Sequence, residues 1–257
     1  MTLSDEELDR YARQIVLPQI GGLGQKRLKA ARVAVVGAGA IGSAVIPALA
    51  GAGIGHLTII DDDRVERSNL QRQLIYRNGQ CGAPKAEAAA EFARGLNPLV
   101  SAAPKCARID GTNAADLLAG HNLVIDGTDN FATRLIVNDA CHELRLPLVS
   151  AAAAQFQVQV ALFRGWEKQQ PCYRCFVGDA FDAEDCDTCA ELGILGAVAG
   201  IAGHFAALLT IRAITGFAPD VAGKLFLFDG ISLQLRPITI PETAGCRTCG
   251  GKNASDT

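Results

Sequence analysis

The chemistry written into this chain starts with a glycine-rich turn and the acid that follows it. Gly37-Ala38-Gly39-Ala40-Ile41-Gly42 sits between the short apolar run Val33 to Val36 and an alanine-rich stretch ending at Ala52. A second apolar run, Leu57 to Ile60, ends in Asp61. This reads as strand, turn, helix and strand. Gly37 permits a tight exit from the strand, Gly39 lets backbone approach a phosphate, and Gly42 lets the helix pack closely on the sheet. The helix N-terminus favours anions. Asp61 stands where ribose hydroxyls are commonly held. Chance glycines in an alanine-rich chain are the plainer reading. The strand before, the helix after and the acid downstream favour a nucleotide instead, with its identity still open.

Two cations follow the turn closely. Arg72 lies in the stretch DDRVERSNLQRQLIY, and Lys85 comes after Gly82-Ala83-Pro84. They could be ordinary surface charges. Near a polyphosphate they would offset its charge. A further apolar run ends NLVIDGTDN, which brings Asp126 and Asp129 to the same sheet edge. Either carboxylate could hold Mg2+ on a phosphate. Asp129 could equally cap the helix expected over 131–144, and the pattern does not separate the two acids. Arg10 and Arg13 share a face of the first helix, where two solvated arginines are the ordinary outcome.

Of the nine cysteines, six form C-x-x-C pairs: Cys172/Cys175, Cys186/Cys189 and Cys246/Cys249. Two such pairs make a closed, structural four-cysteine zinc site. Spacing alone does not choose which two. Cys186/Cys189 is embedded in DAEDCDTCAE, whose carboxylates disfavour a buried site of charge minus two. Arg174 and Arg247 stand inside the other two pairs and favour thiolates, so those pairs are preferred. That leaves Cys189, ahead of a helix, as a candidate nucleophile or an inert surface thiol. Cys81, Cys106 and Cys141 read as small core residues.

The elements that must position these groups fit an α/β protein. Helices are expected over 4–16, 86–96, 112–119 and 131–144, and strands over 100–107, 122–126 and 148–152. The strictly alternating stretch 155–161 suits an antiparallel strand added to a parallel sheet. Residues 224–229 and 232–240 read as a closing hairpin turned at Asp229-Gly230. The fold class is therefore a Rossmann-like, mostly parallel sheet with helices on both faces, antiparallel strands in the C-terminal part and a zinc-stapled tail. A chain of 257 residues suits one such domain, over 1–249, with a small polar tail from 250 expected to be disordered. Net charge is −3 with no basic stripe, which argues against a nucleic-acid groove. The uncharged run Gly193 to Ile211 reads as a buried helix rather than a membrane span. An acidic start and an odd number of cysteines point to the reducing cytoplasm.

Taken together, RYARQI, GAGAIG, Asp61, SNLQRQ, Gly82 to Lys85, GTDN, PCYRC, DTCAELGILG and CRTC occur in an order that resembles the HesA/MoeB/ThiF family, adenylating enzymes related to ubiquitin-activating enzymes. The similarity runs from about residue 4 to 249 and is greatest to the branch serving molybdenum-cofactor and thiamine synthesis. It implies that the C-terminal glycine of a small ubiquitin-like sulfur carrier, ending Gly-Gly, attacks the α-phosphate of ATP-Mg and releases pyrophosphate. Nucleotide contacts are implied for Gly37, Gly39, Ala40 and Gly42, for Asp61 and Asp63, for Ser68, Asn69, Leu70, Gln71 and Arg72, and for Lys85, Asp129 and Asn130. Asp61 would hold the ribose, Asn69, Arg72 and Lys85 the phosphates, and Asp129 Mg2+. Arg13 resembles the arginine that reaches the other subunit's ATP, which implies a homodimer. Zinc falls to Cys172, Cys175, Cys246 and Cys249, and Cys189 to a crossover loop over about 176–192 with thioester or persulfide chemistry. A sulfurtransferase or cysteine desulfurase is the implied sulfur source. Two positions depart from the family pattern: Ala40 replaces a second glycine, and Gly127 replaces cysteine. An NAD-dependent oxidoreductase would use the glycine turn and Asp61 alone and leaves Arg72, Lys85, Asp129 and the cysteine pairs without a role; a zinc-stapled binding protein would dock a carrier without activating it.

Overall fold

A computed structural model describes residues 2–178 and 193–250. Its centre is an eight-stranded sheet in the order β3-β2-β1-β4-β5-β6-β7-β8. The strands are β1 (Arg32–Val36), β2 (His56–Ile60), β3 (Ser101–Lys105), β4 (Leu123–Asp126), β5 (Leu148–Ala154), β6 (Gln157–Phe163), β7 (Lys224–Asp229) and β8 (Gln234–Thr239). β3, β2, β1, β4 and β5 pair in parallel, and β6, β7 and β8 add on antiparallel, in keeping with the alternation of 155–161. The strand order reverses between β1 and β4, where Val36 pairs with Asp126. Open α/β sheets bind ligands at such a reversal, outside the carboxyl ends of the strands.

Period-two alternation divides the core. Val33, Val35, Leu57 and Ile59 face α3 (Gly21–Ala30), α4 (Gly42–Ala52), α5 (Lys85–Leu96) and a long helix, α9 (Gly196–Thr215). Ala34, Val36, Ile60 and Val124 face α6 (Ala114–Leu118), α7 (Phe131–Glu143) and α8 (Tyr173–Val177). The uncharged run is therefore a helix packed on the sheet and on α4. It is long and apolar enough to span a membrane, and its outer stripe at Ile201 and Leu208 remains exposed.

Several expectations change. The first helix is two pieces, α1 (Asp5–Arg10) and α2 (Ala12–Ile15), broken at Tyr11. The break lets Tyr11 bury its ring against Gly53, where a methyl would lie 2.5 Å from Cζ, and accept a 2.8 Å bond from Asn97 Nδ2. α3 has no clear sequence signal, because Gly21, Gly22 and Gly24 conceal it. The closing hairpin turns through Gly230 to Leu233, not at Asp229-Gly230 alone. The Asp229 carboxylate accepts from Ile231 N and Ser232 Oγ. Cys141 is buried in the core, but Cys81 and Cys106 are exposed. Cys186, Cys189, most of the crossover loop and the tail beyond 250 lie outside the described residues.

Candidate active site

At the strand-order reversal the structure has a cavity of about 660 Å³. Its first wall is the turn leaving β1. Gly37 has φ +89°, and a side chain there would press on the Gly127 backbone at 3.1 Å. A methyl on Gly42 would lie 2.3 Å from the Gly37 carbonyl oxygen, so the helix can start this close to the strand only with glycine. Ala40 does not adopt a positive φ, and its methyl is tolerated. Tyr76, buried, donates from its hydroxyl to Ala38 O at 2.7 Å and holds the turn from below. Burial pushes its phenol far above the ordinary range, so the hydroxyl stays a donor.

Asp61 braces the same turn. Its Oδ2 accepts from Ala38 N at 2.7 Å and its Oδ1 from Asp63 N at 2.8 Å. Each oxygen keeps a lone pair for a ligand hydroxyl. Burial pushes this carboxyl up from its ordinary value, against the pull of those N–H bonds and of Lys85.

Lys85 opens α5 and is buried, with Nζ 2.7 Å from Asp63 Oδ2. Both residues line the cavity, as do Asn69, Gln71 and Arg72. Arg72 donates to Ser68 O at 3.0 Å, and Asn69 Oδ1 accepts from Glu66 N. Ser68 and Leu70 are not part of the lining. The Ser68 hydroxyl donates to Glu66, and Leu70 packs against the core.

The two acids after β4 separate. Asp126 is 1% exposed, and its Oδ1 accepts from Thr128 N at 2.9 Å and Thr128 Oγ1 at 2.7 Å. That tight turn throws Asp129 out onto the cavity lining, exposed. The cap of α7 is Asn130, whose side chain accepts from Thr133 N at 2.8 Å; Asp129 has no capping duty. At Gly127 a Cβ would meet the Ile41 side chain at 3.1 Å, so Ile41 fills the space that a cysteine would otherwise use.

Arg134 and Arg108 also line the cavity, though no motif in the sequence points to either. Arg134 is buried and donates to Ser150 Oγ at 3.2 Å, to Ala151 O at 2.9 Å and to Thr128 O. It clamps the Asp129 loop to β5. The available signal was a lone arginine opening the apolar stretch Leu135-Ile136-Val137 of α7.

The second cluster is four thiols. Cys172 and Cys175 open α8, and Cys246 and Cys249 come from the C-terminal segment, with all four Sγ atoms within 4.8 Å of one another. Cys172 lies 3.6 Å from Cys246, and Cys175 lies 3.4 Å from Cys249. A tetrahedral zinc with bonds of about 2.3 Å sets sulfurs roughly 3.8 Å apart, so the donor set and spacing fit that ion. Arg174, between the cysteines, donates to Thr248 Oγ1 at 3.0 Å and pairs with Asp139 at 3.2 Å, fastening the tail to α7.

A model of the ThiF family matches residues 11–248. The chain belongs to the ThiF family. It is 40% identical to the sulfur carrier protein adenylyltransferase of Thermus thermophilus, over 97% of this chain and 93% of that one. It is 38% identical to the molybdopterin-synthase adenylyltransferase of Salmonella typhimurium, over 96% and 98%. Its fold matches that of MccB from E. coli, solved with AMPCPP and MccA, with a TM-score of 0.82 over 94% of this chain and 74% of that one, at 22% identity.

Within this ThiF-family chain, Gly37, Gly39, Ala40, Asp61, Asp63, Asn69, Gln71, Arg72, Lys85, Asp129 and Asn130 meet in one cavity. Gly42 lies behind the turn rather than on its surface. Arg13 is exposed on α2 and does not line the cavity of its own chain.

Proposed function

We propose that this chain is an ATP-dependent adenylyltransferase for the C-terminal glycine of a small ubiquitin-like sulfur carrier of the molybdopterin-synthase type. The observation that carries the reading is the single cavity lined by the glycine turn, Asp61, Arg72, Lys85 and Asp129. The names of the Thermus and Salmonella relatives support the substrate class.

In the reaction a carboxylate oxygen of the carrier attacks the α-phosphorus of ATP. The bond to the pyrophosphate oxygen breaks, leaving an acyl-adenylate. The nucleophile is already ionised, so the cavity needs no general base. It needs positioning and charge neutralisation. Asp61 takes ribose hydroxyls, and Asn69, Arg72 and Lys85 bind the phosphates. Lys85 exchanges part of its pairing with Asp63 for the nucleotide. Asp129 is the residue that would hold Mg2+, an exposed oxygen donor suited to a hard cation; the ion neutralises phosphate charge when bound. Cys172, Cys175, Cys246 and Cys249 would hold a structural zinc.

The same reading makes the protein a homodimer. Arg13 stands outside its own cavity, which suits a role in the other subunit's site. Val16, just after it in the chain, and Leu23 of α3 are 71% and 74% exposed, and α3 packs against α9, whose stripe at Ile201 and Leu208 is also apolar. A sulfurtransferase or cysteine desulfurase then acts on the adenylate, and we assign Cys189 to that later sulfur or thioester step. ATP chemistry and free thiols suit the cytoplasm.

The test is to mix the protein and ATP-Mg with candidate carriers of the molybdenum-cofactor and thiamine types. Intact mass would be read for the AMP adduct, and radiolabelled pyrophosphate for exchange into ATP. An adduct on one carrier is expected. NAD binding in preference to ATP, with no exchange, would overturn the reading.

A further inference from the structure

Gln73 has no role in the scheme above, yet its place in the cavity is unusual. The residue is 3% exposed and lines the cavity. Its side-chain carbonyl Oε1 is buried with no hydrogen-bond partner. Its amide nitrogen Nε2 is the nearest atom to the point where a side chain on Gly39 would begin, at 3.8 Å. The amide therefore lies beside Gly39 of the turn leaving β1.

A buried amide with a stranded carbonyl is an expensive way to fill space. Leucine or methionine would fill the same volume with no unpaired acceptor. What glutamine adds is an N–H2 group, and that group lies against a glycine turn that allows close approach of an anion. The backbone fixes its position. Gln73 N donates to Asn69 O at 2.9 Å, and Tyr76 N donates to Gln73 O at 3.2 Å, so Gln73 shares a rigid turn with Arg72 and with the tyrosine that pins Ala38.

We infer that Gln73 is a further substrate-contacting residue, whose amide N–H donates to an oxyanion at the reacting phosphate. The oxyanion has two sources: an oxygen of the nucleotide's phosphate chain, or the carrier carboxylate that attacks it. The inference rests on the adenylyltransferase reading. A neutral donor fixed before substrate arrives costs no reorganisation when charge shifts in the transition state. It complements Arg72 and Lys85, whose full charges hold the ground state as well.

The experiment compares wild type with Gln73→Leu and Gln73→Glu. ATP-Mg affinity is measured by calorimetry without carrier, and pyrophosphate exchange with carrier. Thermal midpoints are measured for all three. Gln73→Leu is expected to keep or raise the midpoint, because the stranded carbonyl is gone, while kcat/KM for exchange falls about 10- to 100-fold. Gln73→Glu is expected to fall further, since it sets a carboxylate against the anion. Weaker ATP binding without carrier assigns the contact to the phosphate chain. Unchanged ATP binding with a raised carrier KM or lowered kcat assigns it to the carboxylate. Wild-type affinity and kinetics in Gln73→Leu, or a loss matched by a lowered midpoint, overturns the inference. If wild type binds ATP but exchanges with no carrier, the functional reading falls and takes the carboxylate contact with it; the phosphate contact is then decided by calorimetry alone.

Discussion

Asp126 and Asp129 have the same side chain, lie three residues apart, and do different work. Asp126 gives its Oδ1 to Thr128, whose N–H and hydroxyl it receives in a buried turn, while its Oδ2 is buried without a partner; Asp129 is left facing the cavity because Asn130 caps α7. Asp129→Asn should therefore lower pyrophosphate exchange by at least about 100-fold while the thermal midpoint stays close to that of wild type. Asp126→Ala should damage the fold first: it strands the Thr128 amide and costs about 1–3 kcal/mol in denaturant unfolding. A stable but inactive Asp126→Ala protein would exchange the two assignments. Residue spacing in NLVIDGTDN could not make this distinction. It depends on how the loop after β4 is held, and there Arg134 ties the Thr128 carbonyl to β5, a tertiary contact marked in the sequence only by a lone arginine before an apolar stretch. The turn glycines were legible for the opposite reason, because their constraint is local steric exclusion.

On the proposed reading, nucleotide affinity depends on the turn between β1 and α4. A methyl on Gly42 would sit 2.3 Å from the Gly37 carbonyl oxygen, well inside contact distance, so the helix must retreat or the turn must open. Gly42→Ala should cost about 1–3 kcal/mol and weaken ATP binding in calorimetry. Retained affinity would mean that the phosphates are held by Arg72 and Lys85 without the turn. The N-terminal helix is held more lightly. Ser4 and Glu7 form a reciprocal cap, and Glu7 pairs with Lys29 of α3 at 2.8 Å. Burial raises the Glu7 pKa, but the Lys29 and Ser4 bonds outweigh it, so the folded value lies below 4.5. Stability from Glu7 is then complete above pH 4.5 and fades as the pH falls through its folded value. Glu7→Gln should cost about 1–2 kcal/mol at neutral pH, and the gap to wild type should narrow in melts as the pH is lowered below 4.5. The capping box was readable as Ser4-x-x-Glu7, but the break at Tyr11 was not, since Tyr11 is recruited by Gly53 and Asn97, distant in sequence.

At the scale of the whole molecule, the four thiols join α8 to the C-terminal segment, and Cys172→Ser should lower both metal content by elemental analysis and the thermal midpoint; full zinc content would end the assignment. The placement of Arg13 makes a stricter claim. It stands on α2, exposed, away from the cavity that its own chain builds. If it serves the partner subunit's nucleotide, each complete site takes Arg13 from one chain and Asp129 from the other. Arg13→Ala and Asp129→Ala homodimers are then both inactive. In a mixed dimer the two lesions fall together on one site and leave the other intact. Co-expression gives about half mixed dimers, each with one working site, hence about a quarter of wild-type exchange activity. A chain that completed its own site would gain nothing from mixing, because every cavity would still lack one residue. Recovery near a quarter, lost again when Ile201 and Leu208 on the α9 stripe are changed to aspartate, ties the shared site to that apolar face. No recovery in mixtures whose dimers are verified by mass would return Arg13 to the surface role its exposure alone suggests.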